Sequence, residues 1–229
     1  MNLSEHYNEL FNTSSELILS ENYAIDTKLN DDSDNRFGIT LLVRPSEEIK
    51  TNIQAFLKEL KKTGPEQYYY PDSDIHITVL SIISCHDGFT LDKFSMSEYV
   101  EIIEKSLVDV NQIEINYRGV TLSPSAIMIQ GFPSDESLNI LRDRLRDNFK
   151  KSSLNQSIDS RYSITTAHST VMRFQKKIEN PKKLIEITGK FRNHDFGKFT
   201  VDKIELVYND WYQREKNTVK LCDFYLKHF

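Results

Sequence analysis

The sequence predicts an α+β fold made of two lobes related by a pseudo-two-fold axis, with a cleft between them. The order strand, helix, strand occurs twice, and each second strand carries a histidine followed two residues later by a threonine. The pairs are His76 with Thr78 in "DIHITVLSI" and His168 with Thr170 in "AHSTVMRF". From the start of the first strand to the histidine is 39 residues in one half (37 to 76) and 43 in the other (125 to 168). This repetition predicts that the two pairs face each other across the cleft.

Composition and charge favour an ordinary globular protein. The chain has 229 residues, 38% hydrophobic and 28% charged, and no run approaches the roughly 18 apolar residues of a membrane helix. The N-terminus lacks the basic start and apolar core of a signal peptide, so we expect a cytoplasmic location. The net charge of −5 argues against binding along a duplex nucleic acid but leaves room for a pocket with local cations.

The two cysteines, Cys85 and Cys222, lie far apart and form no CxxC pair. We therefore expect reduced thiols and neither a disulfide framework nor a thiolate zinc site. The N-terminal residues 1–36 are expected to be an extension, with a short helix in "SEHYNELF" and an acidic linker in "NDDSDN". Residues 37–229 are expected to form one bilobal domain.

The first half begins with a strand at "FGITLLV", residues 37 to 43. A helix follows, with Ser46 as its cap and Gly64-Pro65 at its end; its apolar face consists of Ile49, Ile53, Phe56, Leu57 and Leu60. The strand with the first pair comes next. A further helix is expected from Ser95, which has capping-box spacing to Glu98.

The second half repeats this order. "SAIMIQGF" is a strand, residues 134 to 150 are a helix, and "ITTAHSTVMRF" is the strand with the second pair. Asn180 and Pro181 have the preferences of a helix cap and a first helical position. Two strands, "FTVDKIELVY" and "TVKLCDFYL", are expected to close the chain.

The paired residues fit the chemistry of phosphodiester cleavage without a metal. One imidazole removes a proton from the nucleophile, and the other protonates the departing oxygen. Strand alternation directs each threonine to the same side as its histidine, where a hydroxyl stabilises the phosphate charge. The sequence does not decide which histidine is the base.

The motifs "HITV" and "HSTV" resemble those of the 2H phosphoesterase superfamily, which includes 2′-5′ RNA ligase-like proteins and cyclic nucleotide phosphodiesterases. "FGITLLVRP", "KIELVYNDWYQ" and "VKLCDFYL" resemble its first and closing strands, so the resemblance covers residues 37 to 229. It implies a bilobal fold in which each lobe is an antiparallel sheet with helices on its outer face and the H-x-T strands line the cleft. "HSTVMR" also resembles the ligase-like branch, which implies that Arg173 binds phosphate. Strict alternation would turn Arg173 away from the cleft unless a bulge redirects it.

Three aromatic residues near the closing strands, Tyr208, Trp211 and Tyr212, are candidates to stack on a base. The alternative interpretation for all three is core packing or support of the closing hairpin.

The expected function is a metal-independent phosphodiesterase that opens a nucleotide 2′,3′-cyclic phosphate or cleaves a related 2′-linked diester. The alternatives are 2′-5′ RNA ligation by the same residues, and a module that binds a nucleotide or RNA end without turnover. A metal hydrolase with His76 and His168 as ligands is disfavoured, because no carboxylate has fixed ligand spacing to either. We expect no cofactor, a small nucleotide or RNA end as partner, no membrane contact, and a monomer.

Overall fold

The computed structural model of the chain describes residues 2–227, so the last two residues of the expected domain lie outside it. Within this range nine strands form two sheets in which all neighbouring strands are antiparallel. The first sheet has the order β3-β1-β8-β9, formed by β1 (Arg36–Val43), β3 (Ile77–Asp87), β8 (Lys203–Asp210) and β9 (Val219–Tyr225). The second has the order β2-β6-β5-β4-β7, formed by β2 (Tyr68–Tyr69), β4 (Ile113–Ser123), β5 (Ala126–Pro133), β6 (Ser169–Arg173) and β7 (Asp195–Val201).

The described residues also form five α-helices: α1 (Leu3–Leu19), α2 (Glu47–Lys61), α3 (Met96–Leu107), α4 (Ser137–Lys150) and α5 (Pro181–Lys190). The predicted α+β class with two antiparallel sheets is thereby confirmed. None of the helices in this part of the chain has the length and apolar character that a membrane crossing requires. Cys85 and Cys222 are both unpaired.

Two of the three predicted helix caps form as expected. The Ser46 hydroxyl accepts a hydrogen bond from the Ile49 backbone N–H at 3.4 Å, and the Asn180 side chain accepts one from Lys183 at 3.0 Å. Ser95 does precede α3, but its side chain makes no capping hydrogen bond. The capping box predicted there is therefore wrong, although the helix start is right.

The helices exchange between the lobes. Helix α2 follows β1 in the chain, but it packs against β7 and α5 on the second sheet. Helix α4 follows β5, but it packs against α3 and against β3 of the first sheet. One continuous apolar core results, because α2 and α4 each pack on the sheet to which the preceding strand does not belong.

The strand prediction was incomplete at the end of the chain. "FTVDKIELVY" is not one strand: its first residues end β7 in the second sheet, and the rest is β8 in the first sheet. Strand β4 was also not predicted. Asp202 separates β7 from β8, and its carbonyl accepts a hydrogen bond from the Leu226 backbone N–H at 2.8 Å. The apolar positions change phase across this residue, from Phe199 and Val201 to Ile204 and Leu206, and this shift coincides with the change of sheet.

The N-terminal segment packs on the second sheet. Helix α1 is longer than expected and lies against β4, with Tyr7 and Ile18 completely buried. The Tyr7 hydroxyl donates to the Gly131 carbonyl at 3.2 Å, and the Thr121 hydroxyl donates to the Tyr7 carbonyl at 2.8 Å. The division into an extension of residues 1–36 and a domain from residue 37 stays a prediction.

Candidate active site

A cavity between the two sheets contains both H-x-T pairs. His76 lies directly before β3, and His168 lies directly before β6, so each sheet contributes one histidine at the entry of a strand. The cavity is lined by both pairs, by Arg173 on β6 and by Trp211 and Tyr212 after β8. The two halves of the sequence are thus brought to one site, as the repetition predicted.

Both H-x-T strands contain a bulge at the same position of the motif. Leu42 pairs with Thr78 and Leu41 pairs with Leu80, so Val79 has no partner on β1. The second motif repeats this arrangement: Met128 pairs with Thr170 and Ile127 pairs with Met172, so Val171 has no partner on β5. In both cases the extra residue is the valine that follows the threonine.

The second bulge decides where Arg173 points. An extra residue in a strand shifts the alternation by one position. Arg173 therefore lies on the same side as Thr170 and lines the cavity, instead of facing away from it. The equivalent position in the first motif is Ser81, which also lines the cavity. The two motifs thus share their geometry, but only the second places a cation there.

The hydrogen bonds of the two imidazoles differ. The Nδ1 atom of His76 lies 2.6 Å from the Asp74 carbonyl oxygen, which can only accept. Nδ1 of His76 therefore carries a proton, and in the neutral ring Nε2 has a free lone pair. The Nδ1 atom of His168 lies 2.7 Å from the Thr166 hydroxyl, which can donate or accept. His168 can consequently keep a proton on Nε2 in either charge state.

Burial lowers the pKa of both histidines to about 4. For His76 the positive charges of Arg44 and Arg173 add to this effect, while the hydrogen bond to the Asp74 carbonyl opposes it. For His168 the neighbouring His76 and Arg142 add to it. Both rings are therefore neutral near pH 7 in the absence of an anion.

We expect the free energy of unfolding to decrease as the pH falls from 6.5 to about 4. Since the folded-state pKa lies below the ordinary value, the unfolded chain binds more protons in this window, and acid favours it. A pKa of about 4 in place of 6.5 corresponds to about 3 kcal/mol for each histidine. This value is an upper limit, because both rings are only half-buried. Urea denaturation of the wild type and of a His76→Gln/His168→Gln variant across this range measures it. Parallel stability curves for the two proteins would contradict the expectation.

Arg173 is held by residues from three parts of the chain. Its Nε donates to the Tyr70 hydroxyl at 2.9 Å, and one terminal nitrogen lies 3.9 Å from the Asp26 carboxylate. The guanidinium carbon is 5.4 Å from the centre of the Tyr212 ring. Burial disfavours the charge of Arg173, but Tyr70 and Asp26 outweigh it and raise the pKa. Arg173 is therefore a fixed cation at the cavity wall.

The three aromatic candidates have different surroundings. Trp211 borders the cavity and has two guanidinium carbons near its ring centre, that of Arg36 at 4.7 Å and that of Arg161 at 4.6 Å. Tyr212 borders the cavity too, but it is only 1% exposed, and its hydroxyl donates to Asp26 at 2.8 Å. Its ring therefore has the packing role of the alternative interpretation.

Tyr208 is not brought to the cavity. Its ring stacks on Phe37 with centres 4.8 Å apart, and its hydroxyl donates to the Phe89 carbonyl at 3.1 Å. The next residue along β8, Asn209, lines the cavity instead. Alternation along the strand explains the difference, because neighbouring side chains point to opposite faces.

Two groups of residues at or next to the cavity have no signal in the sequence. The first is in the segment between α4 and β6, where Ser160, Arg161 and Tyr162 line the cavity. The segment is fixed to β3 by a hydrogen bond from the Ser157 backbone N–H to the Ile82 carbonyl at 2.9 Å. The second is Asp26, which reaches Arg173 from the N-terminal segment. Neither stretch has a periodic pattern, so only the folded chain places them at the site.

Residues 2–227 contain no cluster of three or more histidine, cysteine, aspartate or glutamate side chains arranged to hold a metal ion. The chemistry that the described site offers is that of two imidazoles, two threonine hydroxyls and two guanidinium groups, those of Arg161 and Arg173.

Comparison with known proteins relates the chain to one family. A family model described as "AKAP7 2′5′ RNA ligase-like domain" matches residues 39–218. No curated protein matches the sequence significantly.

Several solved structures share the fold. The protein TT0787 of Thermus thermophilus has 16% identity and a TM-score of 0.58, over 82% of this chain and 97% of its own. E. coli LigT complexed with 3′-AMP has 11% identity and a TM-score of 0.56, over 83% and 98%. The Agrobacterium tumefaciens protein ATU0111 has 14% identity and a TM-score of 0.55, over 90% and 96%.

Proposed function

Because this chain belongs to the AKAP7 2′5′ RNA ligase-like family, within the 2H phosphoesterase superfamily, we propose that it is a metal-independent phosphodiesterase. The proposed substrate is a nucleotide 2′,3′-cyclic phosphate or a small diester with a related 2′ linkage. The observation that carries this proposal is the meeting of two H-x-T pairs, one from each sheet, in a single cavity that also contains Arg173.

The different partners of the two imidazoles support an assignment of roles. His76, with a free lone pair on Nε2 when neutral, is the proposed base that removes a proton from the attacking water. His168, which can hold a proton on Nε2 in either charge state, is the proposed acid that gives a proton to the departing 2′ or 3′ oxygen. The water oxygen forms the new bond to phosphorus, and the bond from phosphorus to the ribose oxygen breaks.

The remaining cavity groups are proposed to stabilise the phosphate. Thr78 and Thr170 carry hydroxyl donors on the same side as the histidines, and Arg173 supplies a fixed positive charge. These donors are held in place before the reaction, so they need no reorganisation when charge develops on the phosphate oxygens. An entering anion also favours protonation of a neighbouring imidazole, which opposes the burial that lowers the pKa of His168.

The structural neighbours support a small nucleotide as the substrate. E. coli LigT has been solved with 3′-AMP and with ATP. Its fold matches this chain over 83% of this chain and 98% of the LigT chain. The exposed Tyr162 offers aromatic surface at the cavity on which a base can stack. The Trp211 ring is already covered by the guanidinium groups of Arg36 and Arg161.

The proposal is tested by incubating the protein with nucleoside 2′,3′-cyclic phosphates, 2′-5′ dinucleotides and cyclic dinucleotides in excess EDTA. The control is a His76→Ala/His168→Ala variant that is shown to be folded. We expect turnover by the wild type alone. Turnover that disappears with EDTA would point to a metal hydrolase, and nucleotide binding without product would point to a binding module. Joining of RNA ends by the wild type, with no hydrolysis, would favour the ligase alternative.

A further inference from the structure

The only arginine of α4 that is completely buried, Arg142, points towards both histidine-bearing segments. Its exposed fraction is 1%, whereas Arg144 on the same helix is exposed. No carboxylate among residues 2–227 forms an ion pair with Arg142, and burial lowers its pKa to about 10. Burial of an unpaired guanidinium is costly unless its N–H groups are satisfied by other acceptors.

Backbone carbonyls are those acceptors, and they belong to both halves of the site. Arg142 Nε donates to the Val79 carbonyl at 2.9 Å, and one terminal nitrogen donates to the Thr78 carbonyl at 2.9 Å. The same nitrogen donates to the Thr166 carbonyl at 2.8 Å. Val79 is the bulged residue of the first motif, and the Thr166 hydroxyl contacts the imidazole of His168.

A second link joins the same two segments. The hydroxyl of Ser169, the middle residue of the second motif, donates to the His76 carbonyl at 2.5 Å. Ser169 in turn is hydrogen bonded to the buried hydroxyl of Tyr117. The entry of β3 and the entry of β6 are therefore tied to each other at two points, one of which is the fork of Arg142.

We propose that Arg142 is a positioning residue, which sets the spacing of His76 and His168 by bridging the first bulge and the Thr166 segment. A planar fork with several N–H donors can reach carbonyls of two strands at once, which the single ammonium of lysine cannot reproduce with the same geometry. The inference rests on the proposed function, since correct spacing of an acid and a base matters only for a reaction that uses both. Arg142 itself does not reach the substrate.

The test compares Arg142→Met and Arg142→Lys with the wild type, and uses Arg144→Met as the matched control. With a cyclic phosphate that the wild type hydrolyses, we expect kcat to fall about 10- to 100-fold in Arg142→Met, with KM changed less than about threefold, because misplacement affects the transition state. Arg142→Lys should recover part of the loss, and Arg144→Met should behave as wild type. An unchanged kcat in folded Arg142→Met, or a loss confined to KM, would overturn the proposal.

A measurement without substrate separates this inference from the proposed function. Histidine ¹⁵N shifts report the tautomer and the environment of His76 and His168. The charges that act on these rings are those of the other histidine of the pair, His6, Arg44, Arg142 and Arg173. Arg142→Met should change the signals of both histidines, and Arg144→Met should change neither. Unaltered signals in Arg142→Met would contradict the positioning role even if the wild type showed no turnover. Altered signals without wild-type turnover would retain the role of Arg142 and refute the proposed substrate.

Discussion

His76→Ala is expected to lower kcat/KM for a nucleoside 2′,3′-cyclic phosphate by about 10²–10⁴-fold, the usual contribution of a general base. The loss should persist with a nucleotide p-nitrophenyl ester, because water must still lose a proton to attack phosphorus. His168→Ala should give a similar loss with the cyclic phosphate. With the p-nitrophenyl ester that loss should largely disappear, because p-nitrophenolate departs without being protonated.

This difference tests the roles directly. It follows from the hydrogen bonds of the two rings: the Asp74 carbonyl fixes the tautomer of His76, and the Thr166 hydroxyl leaves that of His168 free. His86→Ala is the control, since His86 is an exposed residue near the end of β3 and does not line the cavity. The opposite pattern would exchange the two roles, and full activity of either variant with the cyclic phosphate would contradict paired acid-base catalysis.

Arg173→Met is expected to reduce kcat/KM by about 10²–10³-fold, the range seen when a fixed donor to a developing charge is removed. Arg173→Lys should restore only part of the activity, because lysine keeps the charge but cannot reproduce the guanidinium contacts with Tyr70 and the phosphate at once. Steady-state kinetics with the cyclic phosphate measures both variants.

The control for Arg173 is Lys176→Met, which removes the same charge from an exposed position three residues along the chain. It should leave kcat/KM almost unchanged at moderate salt, where exposed charges are screened. Arg173→Met also leaves the Tyr70 hydroxyl without its partner, so its free energy of unfolding is expected to fall by about 1–3 kcal/mol. Denaturation curves confirm that the assay is run on folded protein. Equal losses in Lys176→Met and Arg173→Met would mean that net charge, and not the cavity geometry, is responsible.

The sequence predicted the fold class correctly. It also singled out four residues that line the cavity, namely His76, Thr78, His168 and Thr170. Local patterns can be read from the sequence because they depend on neighbours within a few positions. They include both H-x-T pairs, the helix caps at Ser46 and Asn180, and the apolar faces of strands and helices. The repeated order of elements was enough to predict that the two pairs meet, since two similar halves that share a core place equivalent strands in equivalent positions.

Tertiary structure alone decided three features: the orientation of Arg173, the exclusion of Tyr208 from the cavity and the packing of α1 on β4. Whether a valine is bulged depends on how a distant strand pairs with it, as β1 does at Val79 and β5 at Val171. Arg142 shows the same limit, because a buried arginine within an amphipathic helix has no distinguishing pattern until Val79 and Thr166 are brought to it. Local sequence determines which residues can form a strand or a helix. Long-range pairing determines which side chains share a cavity, because it depends on contacts between residues that are far apart in the chain.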